Sequence, residues 1–268
     1  MPQPKPTNWA AGRYQAVAER IAPIAEEVVA AAGRVGPQRG PLTGGDIVDL
    51  ACGTGSAALA AAAAGADVTG VDITPELIDI AKTRPGGDQV TWVAADATRT
   101  GLPDGGFDAV VSNMGIIFVE PTGLVAEVTR LLRPGGVFAF SSWVRDDSDG
   151  AENPFFAPIV EVLGPPPAAA FTPDQWGDRD IVAQRLAAHF DDITVETSDL
   201  TWNFASLAAA MEFLEFESPA HVSLFQSLDT PVRDRLRSVF EAALRRHVDT
   251  TGTVAFASPY LVTTALRR

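Results

Sequence analysis

Short apolar runs that alternate with helical segments fill the middle of the chain. The runs are rich in Val, Ile, Ala and Phe and lie at residues 46–51, 67–72, 90–94, 107–112 and 136–142. Runs without polar alternation are typical of strands that are buried on both faces of a parallel sheet. The alternation therefore predicts an α/β fold with a mostly parallel sheet and helices on both of its faces.

Local signals place helices between these strands, at residues 56–64, 74–83 and 121–133. Each of the last two segments has a proline at its start, which is where a helix tolerates proline best. Residues 9–32 carry apolar positions at helical spacing, and Pro23 is expected to break or kink that helix. Residues 33–45 are rich in Gly and Pro and are predicted to be a connector.

The last third of the chain departs from this alternation. Residues 151–175 are Pro-rich and predicted to be irregular, whereas residues 192–200 and 253–266 are candidate strands. Further helices are indicated at residues 180–190, 206–216 and 231–248. If both strands join the sheet, it has seven strands, and residues 206–248 form a helical insertion between the last two.

Charge and composition exclude several classes of function. Among 268 residues, 34 Asp and Glu stand against 20 Lys and Arg, a formal net charge of −14. Nucleic acids and anionic membranes need a cationic face, so neither is expected as a partner. One cysteine cannot form an internal disulfide, and the chain shows neither a secretory signal nor a long apolar span. We expect a cytoplasmic protein.

The sequence DIVDLACGTGS, residues 46–56, carries the most specific local signal. An apolar strand ends in a Gly-x-Gly turn at Gly53 and Gly55, and a helix follows at once. Glycine lets the backbone approach a ligand closely, and the helix N-terminus offers free N–H groups. Ligands bind at this end of the strands in open parallel sheets. A simple strand-to-helix connection would also explain the turn.

Asp72 ends the next strand, 17 residues after Gly55. An acidic residue about 20 residues past the glycines accepts the two ribose hydroxyls in nucleotide-binding folds. The alternative role of Asp72 is to cap the helix that follows Thr74. Because residues 53–58 also fit the pattern G-x-G-x-x-G/A, a nicotinamide dinucleotide and S-adenosylmethionine are both candidate cofactors.

Five motifs follow one another between residues 46 and 142, namely DLACGTG (49–55), GVD (70–72), AADA (94–97), LPDGGFD (102–108) and LLRPGG (131–136). In this order and spacing they resemble the class I S-adenosylmethionine-dependent methyltransferases, especially the small-molecule type related to the quinone-biosynthesis enzymes. The resemblance implies a Rossmann-like domain over residues 46–268, preceded by an N-terminal helical cap and linker, residues 1–45. It also implies lid segments over the acceptor site at residues 144–176 and 206–248.

The resemblance implies a set of cofactor-binding residues: Tyr14, Asp49, Ala51, Gly53, Thr54, Gly55, Asp72, Ile73, Asp96, Ala97, Asn113 and Met114. In this set Asp49 would support the ammonium group of the methionine moiety, and Asp72 would accept the ribose hydroxyls. Asp96 would receive the adenine amino group and Asn113 would lie beneath the sulfonium. Tyr14 would close over the cofactor from the N-terminal helix.

The residues themselves also favour a sulfonium cofactor over a dinucleotide. S-adenosylmethionine has no pyrophosphate, and the chain supplies carboxylates, Asp49, Asp72 and Asp96, at three successive strand ends. A short-chain reductase would need a Tyr-x-x-x-Lys pair, but Ala18 and Thr264 stand four positions after the two tyrosines. An NAD(P)-dependent oxidoreductase and a non-catalytic cofactor-binding protein of the same fold are the alternatives.

Candidates for the acceptor side lie mostly in the last third of the chain. His221, in the predicted insertion, is the candidate general base. The aromatic candidates for an apolar acceptor pocket are Trp143, Phe155, Trp176, Phe213 and Phe216. Core packing would explain each of these rings equally well. Cys52 is interpreted as a small buried side chain, and the acidic residues 146–149 as a solvated loop without a metal. We expect methyl transfer to a small, largely apolar or aromatic molecule.

Overall fold

The computed structural model describes residues 7–35, 42–145, 153–165 and 171–268. The chain divides into two compact units. The first unit is Met1–Arg20, Asp146–Ala169 and Asp199–Ser258, and the second is Ile21–Arg145, Ala170–Ser198 and Pro259–Arg268. The first unit therefore takes in residues 206–248 and most of the described part of 144–176, the two segments predicted to form a lid.

A mixed sheet forms the basis of the second unit. Its strands are β1 (Asp46–Leu50), β2 (Asp67–Asp72), β3 (Val90–Ala94), β4 (Phe107–Asn113), β5 (Leu132–Trp143), β6 (Phe190–Phe204) and β7 (Val254–Arg267). They lie in the order β3-β2-β1-β4-β5-β7-β6, with β1 to β5 parallel and β7 antiparallel to β5. The predicted seven-stranded, mostly parallel α/β sheet is confirmed.

The helices that the structure describes are α1 (Tyr14–Val35), α2 (Ser56–Ala63), α3 (Pro75–Thr83), α4 (Pro121–Leu131), α5 (Ala157–Leu163), α6 (Arg179–Leu186), α7 (Leu207–Glu212), α8 (Pro219–Ser227) and α9 (Thr230–Arg245). Short 3-10 turns lie at Gly87–Gln89, Ile116–Phe118 and Pro173–Gly177. A π-helical turn, Phe213–Glu217, continues α7 and is called the π-turn below.

Strand β1 lies at the centre of the parallel strands and explains why the apolar runs were informative. It pairs with β2 on one side and β4 on the other, and Ile47, Val48 and Leu50 are fully buried. Side chains that point to either face of β1 are buried, as expected for a sheet with helices on both faces. Because β1 to β4 are parallel, the residues that follow Leu50, Asp72, Ala94 and Asn113 emerge at one edge of the sheet.

Helix α1 is not broken at Pro23, so the expectation of a break at this residue is wrong. The helix continues through Pro23 to Val35. Proline there removes the single N–H that would bond to the carbonyl of Glu19. The buried apolar face of the helix, which includes Ile24 and Val28, offsets that loss through tertiary packing.

Other local predictions also need correction. Residues 151–175 are not irregular throughout, because they contain α5 and part of the 3-10 turn at Pro173–Gly177, while 151–152 and 166–170 lie outside the described residues. Helix α8 lies within the helical insertion predicted at residues 206–248. Strand β5 starts at Leu132 rather than 136, since Leu132 already pairs with Phe107 across a bulge. Helix α1 extends to Val35, past the predicted start of the connector at residue 33, and residues 36–41 lie outside the described part.

Gly70 in β2 lies directly against Trp92 of β3, and this contact makes a testable prediction. A Cβ on Gly70 would come within 2.4 Å of the indole, whose Nε1–H is already fixed by a 2.8 Å hydrogen bond to the Gly87 carbonyl. We expect Gly70→Ala to lower the free energy of unfolding in urea by about 1–3 kcal/mol, the usual cost of overpacking. In a Trp92→Leu background the same substitution should cost clearly less. An equal cost in both backgrounds would show that the clash is not the cause.

Candidate functional site

The turn after β1, residues 51–55, has a conformation that demands glycine. The φ angles of Ala51, Gly53 and Gly55 are 53°, 55° and 83°, in the left-handed region. A Cβ on Gly55 would also come within 2.4 Å of the Trp92 indole. On the other side, a Cβ on Gly115 would come within 2.2 Å of the Ala51 carbonyl oxygen. This glycine turn is therefore packed tightly between its neighbours, and its backbone has little freedom.

Asp72 holds the glycine turn against β2. Its Oδ2 accepts the N–H of Gly53 at 2.8 Å, and its Oδ1 accepts the N–H of Thr74 at 2.8 Å. The second bond is the capping role considered from the sequence, and the first is a contact that the sequence did not reveal. A carboxylate oxygen has two lone pairs, so both oxygens can still accept from a ligand.

Asp49 is buried beneath the same turn with one oxygen unsatisfied. It is 1% exposed, its Oδ2 accepts the N–H of Ala58 at 2.8 Å, and its Oδ1 has no hydrogen-bond partner. Burial raises the pKa of Asp49 to about 8, with a further upward push from the Asp72 carboxylate. The hydroxyl of Thr54 is also buried without a partner. A cationic group with N–H donors, such as an ammonium, fits this donor and acceptor set.

Cys52 lies in the glycine turn and has the environment predicted for it. The side chain is buried, and burial raises the pKa of its thiol, with the Asp49 and Asp72 carboxylates acting in the same direction. A thiol that resists ionisation is a poor nucleophile. The interpretation of Cys52 as a small packed side chain is confirmed.

The chain after β2 and β3 adds two further candidates to this edge. Ile73, next to Asp72, is 64% exposed, which is unusual for a large apolar residue beside a buried turn. Asp96 is exposed, and its Oδ1 accepts both the N–H and the hydroxyl of Thr98 at 2.8 Å. Ala97 is buried behind it. The three carboxylates thus lie at or just beyond the ends of three adjacent parallel strands, Asp49 in β1, Asp72 at the end of β2 and Asp96 after β3, as the sequence indicated.

The end of β4 is fixed by a serine that sequence reasoning missed. Ser141 of β5 is fully buried, donates its hydroxyl to Asn113 Oδ1 at 2.8 Å and accepts the N–H of Met114 at 3.0 Å. The amide of Asn113 also donates to the Ile21 carbonyl of α1 at 3.1 Å. Met114 has a φ of 56°, so the chain turns sharply here. The sequence signal for this role of Ser141, holding the end of β4, is a polar residue at the end of the apolar run GVFAFSS, residues 136–142.

Tyr14 belongs to the first unit, where it is the first residue of α1. It is half-buried, and its ring meets Trp9 edge to face at 6.4 Å between centroids. Its predicted contact with a cofactor stays a prediction.

His221 is buried in the first unit with both ring nitrogens occupied. Nδ1 lies 2.7 Å from the hydroxyl of Ser218, and Nε2 lies 3.1 Å from the carbonyl of Phe155. Since a carbonyl only accepts, Nε2 carries the proton and Nδ1 accepts from Ser218. Burial lowers the pKa of His221 to about 4. These contacts leave no lone pair for a substrate and favour a structural role over the predicted general base.

The five aromatic candidates for the acceptor pocket differ greatly in exposure. Phe155 and Phe213 are buried in the first unit and stack at 5.8 Å between centroids. Trp176 is fully buried in the second unit, and Trp143 is half-buried there. Phe216, in the π-turn, is 64% exposed. Packing accounts for Phe155, Phe213 and Trp176, whereas Phe216 has a ring that is free to meet a ligand.

Two structural features are absent from the described residues. None of the helices in the described ranges is long and apolar enough to cross a membrane. No group of three or more His, Cys, Asp or Glu side chains in those ranges is arranged to hold a metal ion. The acidic residues 146–149 lie outside the described part of the chain.

Comparison with known proteins agrees with this geometry. The family model of a methyltransferase domain matches residues 48–140. An uncharacterized protein of Mycobacterium tuberculosis is 32% identical over 202 residues, which cover 72% of this chain and 68% of that protein. The demethylmenaquinone methyltransferase of Clavibacter sepedonicus is 41% identical over 98 residues, or 36% of this chain and 40% of that enzyme.

A solved structure extends the comparison to the fold. Phosphoethanolamine N-methyltransferase 2 of Haemonchus contortus, with phosphomonomethylethanolamine and S-adenosylhomocysteine bound, has a TM-score of 0.52 and 21% identity. The likeness covers 90% of this chain and 52% of that one. None of these matches supports an oxidoreductase.

The buried position of His221 predicts how stability depends on pH. Its pKa is about 4 in the folded chain, against about 6.5 when unfolded, so between these values the unfolded state binds more protons. Stability should therefore fall as the pH drops from about 6.5 to about 4, by up to about 3 kcal/mol from this residue. His221→Gln keeps the hydrogen-bonding groups but cannot titrate, so it should lack this component. Urea unfolding at pH 7 and pH 4.5 measures it, and equal pH dependence in both proteins would contradict the assignment.

Proposed function

Because the chain belongs to the class I S-adenosylmethionine-dependent methyltransferases, we propose that it methylates a small, largely apolar or aromatic molecule. The unpartnered Oδ1 of buried Asp49 is the observation that carries the cofactor side of the proposal. The reaction is inferred from the family, and the residues of the glycine turn suit the methionine end of the cofactor. S-adenosylmethionine brings a methyl group that the positive sulfonium already activates, so the protein contributes mainly alignment.

The methionine end of the cofactor is assigned to the glycine turn. Asp49 Oδ1 accepts from the ammonium group, and the Thr54 hydroxyl gains a partner in the same region. The methionine moiety lies against the backbone of Ala51, Gly53 and Gly55. The left-handed conformation of these residues brings their backbone close to a ligand. The support for this assignment is that two buried polar atoms otherwise lack partners.

The nucleoside end is assigned to the ends of β2 and β3. Asp72 accepts the ribose hydroxyls with the lone pairs that its backbone bonds leave free. Ile73 covers the adenine ring, which explains the exposure of its side chain in the free protein. Asp96 receives the adenine amino group beside Ala97.

The remaining assignments concern the sulfonium. Asn113 and Met114 lie beneath it at the end of β4, in a conformation that Ser141 fixes. Tyr14 closes over the cofactor from α1. Both the Oδ1 and the Nδ2 of the Asn113 side chain are engaged in hydrogen bonds. Asn113 therefore contributes to alignment through its fixed orientation and does not transfer a proton.

The acceptor is proposed from the chain's charge, one exposed ring and one relative. A net charge of −14 repels polyanions, which argues against RNA and DNA. Phe216 presents an exposed aromatic face, and it is the ring that we assign to the acceptor. The relative in Clavibacter sepedonicus is named for demethylmenaquinone, an apolar ring compound. His221 is not assigned a catalytic role, since both of its nitrogens are engaged.

The direct test is methyl transfer from labelled S-adenosylmethionine to a panel of phenols, quinols and aromatic carboxylates, with bulk RNA and protein in parallel. Incorporation into one or more small aromatic molecules is expected, with none into the polymers. Gly55→Val is the matched control, because its side chain would strike Trp92 and displace the turn. Cofactor binding without transfer to any panel member would favour a non-catalytic cofactor-binding protein.

Asp49 also predicts a proton linked to cofactor binding. With a pKa near 8 the buried carboxyl is mostly protonated at pH 7, and an adjacent ammonium group favours its ionised form. Binding of S-adenosylhomocysteine should therefore release about one proton per site at pH 7, and affinity should rise as the pH rises toward 8. Calorimetric titration in two buffers of different ionisation enthalpy measures the release. Asp49→Asn should bind without it, and proton-neutral binding by the unaltered protein would refute the assignment.

A further inference from the structure

Arg84, the residue that follows α3, reaches the glycine turn with its side chain. Its Nη1 donates to the carbonyl of Thr54 at 2.8 Å and to the hydroxyl of Ser56, the first residue of α2, at 3.4 Å. The two acceptors lie 30 and 28 positions earlier in the chain, so only the fold brings them to the guanidinium. Arg84 is half-buried, and the three residues belong to the second unit.

The backbone of Arg84 is itself fixed. Its N–H donates to the Ala81 carbonyl at 3.2 Å, and its own carbonyl accepts the N–H of Gly87 at 2.8 Å. The carbonyl of Gly87 accepts the indole N–H of Trp92 at 2.8 Å, and that indole lies directly against Gly55. The chain between α3 and β3 therefore holds the glycine turn at two places, once with a hydrogen bond and once with an aromatic ring.

The hydrogen bond from Arg84 fixes one peptide group of the turn. The carbonyl of Thr54 and the N–H of Gly55 belong to the same planar peptide group. Arg84 holds the oxygen of this group, and the carbonyl of Cys52 accepts its N–H at 2.8 Å. A trans peptide group points its oxygen and its N–H to opposite sides, so rotation of this group would break both bonds at once.

The stability of α2 does not explain a cation at this place. The N-terminus of a helix carries a partial positive charge, so a guanidinium beside Ser56 is electrostatically unfavourable for α2. Within the described residues, no side chain caps α2, and its first turn has no acidic residue that would offset the charge. The bond to the carbonyl of buried Thr54 is charge-assisted, and such bonds are the stronger kind. The favourable interaction of Arg84 is therefore with the turn.

We propose that Arg84 is a positioning residue of the cofactor site, which holds the Thr54–Gly55 peptide group in the orientation that binds the methionine end of S-adenosylmethionine. This role rests on the proposed function, in which the glycine turn binds that end of the cofactor. The hydroxyl of Thr54 is buried and has no hydrogen-bond partner among the described residues. Threonine is branched at Cβ and stiff at χ1, so the direction of its hydroxyl follows the backbone that Arg84 fixes.

A purely structural role of Arg84 predicts a different result. If Arg84 only stabilises the fold, its removal lowers the free energy of unfolding, and the folded protein binds every part of the cofactor as before. A positioning residue contributes to affinity only through the part of the ligand that meets the residues it positions. A ligand without the amino acid end therefore separates the two roles.

The test compares S-adenosylhomocysteine with methylthioadenosine, which keeps the adenosine and the sulfur but lacks the amino acid end. Both affinities are measured by calorimetric titration of the full chain. We expect Arg84→Met to weaken S-adenosylhomocysteine binding about ten-fold, the order of one lost charge-assisted hydrogen bond, and to leave methylthioadenosine binding unchanged. Arg84→Lys keeps the charge and a donor, so it should recover part of the loss. Lys82→Met removes a cation of α3 that pairs with Asp79 at the surface, and it should change neither affinity.

Three outcomes would overturn the proposal. They are unchanged S-adenosylhomocysteine affinity in Arg84→Met, equal weakening of both ligands, and the same selective loss in Lys82→Met, which would assign the effect to net charge. Urea unfolding of each variant reports on stability separately, and Arg84→Gln gives the same comparison if Arg84→Met does not fold. Failure of the unaltered, folded protein to bind S-adenosylhomocysteine would refute the proposed function and the role of Arg84 with it. Normal binding without a selective loss in the variants refutes only the role of Arg84.

Discussion

Both oxygens of Asp72 accept a backbone N–H, and the shape of the candidate cofactor site depends on these two bonds. One comes from Gly53 in the glycine turn and the other from Thr74 before α3, each at 2.8 Å. A carboxylate in this place joins the turn after β1 to the end of β2. Without it, the buried amide of Gly53 and the partly buried amide of Thr74 would lose their acceptor, and the turn would lose its link to the neighbouring strand. The side chain to which the ribose contact is proposed is therefore also a structural support of the turn.

Close packing adds a second constraint on the same turn. The Trp92 indole leaves no room for a Cβ at Gly55 or Gly70, and the Ala51 carbonyl leaves none at Gly115. Space requires glycine at all three positions, and at Gly55 the φ of 83° requires it as well. A turn packed in this way is already ordered before a ligand binds, so binding does not have to order it. The unsatisfied Oδ1 of Asp49 is then a fixed feature of the free protein.

How far the sequence could predict the structure differs between the units. Strands β1 to β4 lie within a residue of their predicted bounds. For the inner strands β1 and β4 the reason is burial on both faces, which leaves an apolar run that is visible in the sequence itself. The insertion at residues 206–248 was predicted to be helical, but the separate bounds of α8 within it were not, since the burial of α8 depends on rings from distant segments. His221 shows the same limit: its nearest carbonyl belongs to Phe155, 66 residues away, so its burial could not be inferred locally. Arg20 meets Phe204 and Phe213 only through the fold.

The candidates at the sheet edge of the second unit are carboxylates. They lie at the ends of three adjacent strands and suit a donor whose ammonium and sulfonium groups are positive. Methyl transfer turns the sulfonium into a neutral thioether, and the positive charge passes to the methylated atom unless that atom is an anion or loses a proton. A general base is therefore required only for an acceptor that must lose a proton, and His221, with both ring nitrogens engaged, is not placed to supply one.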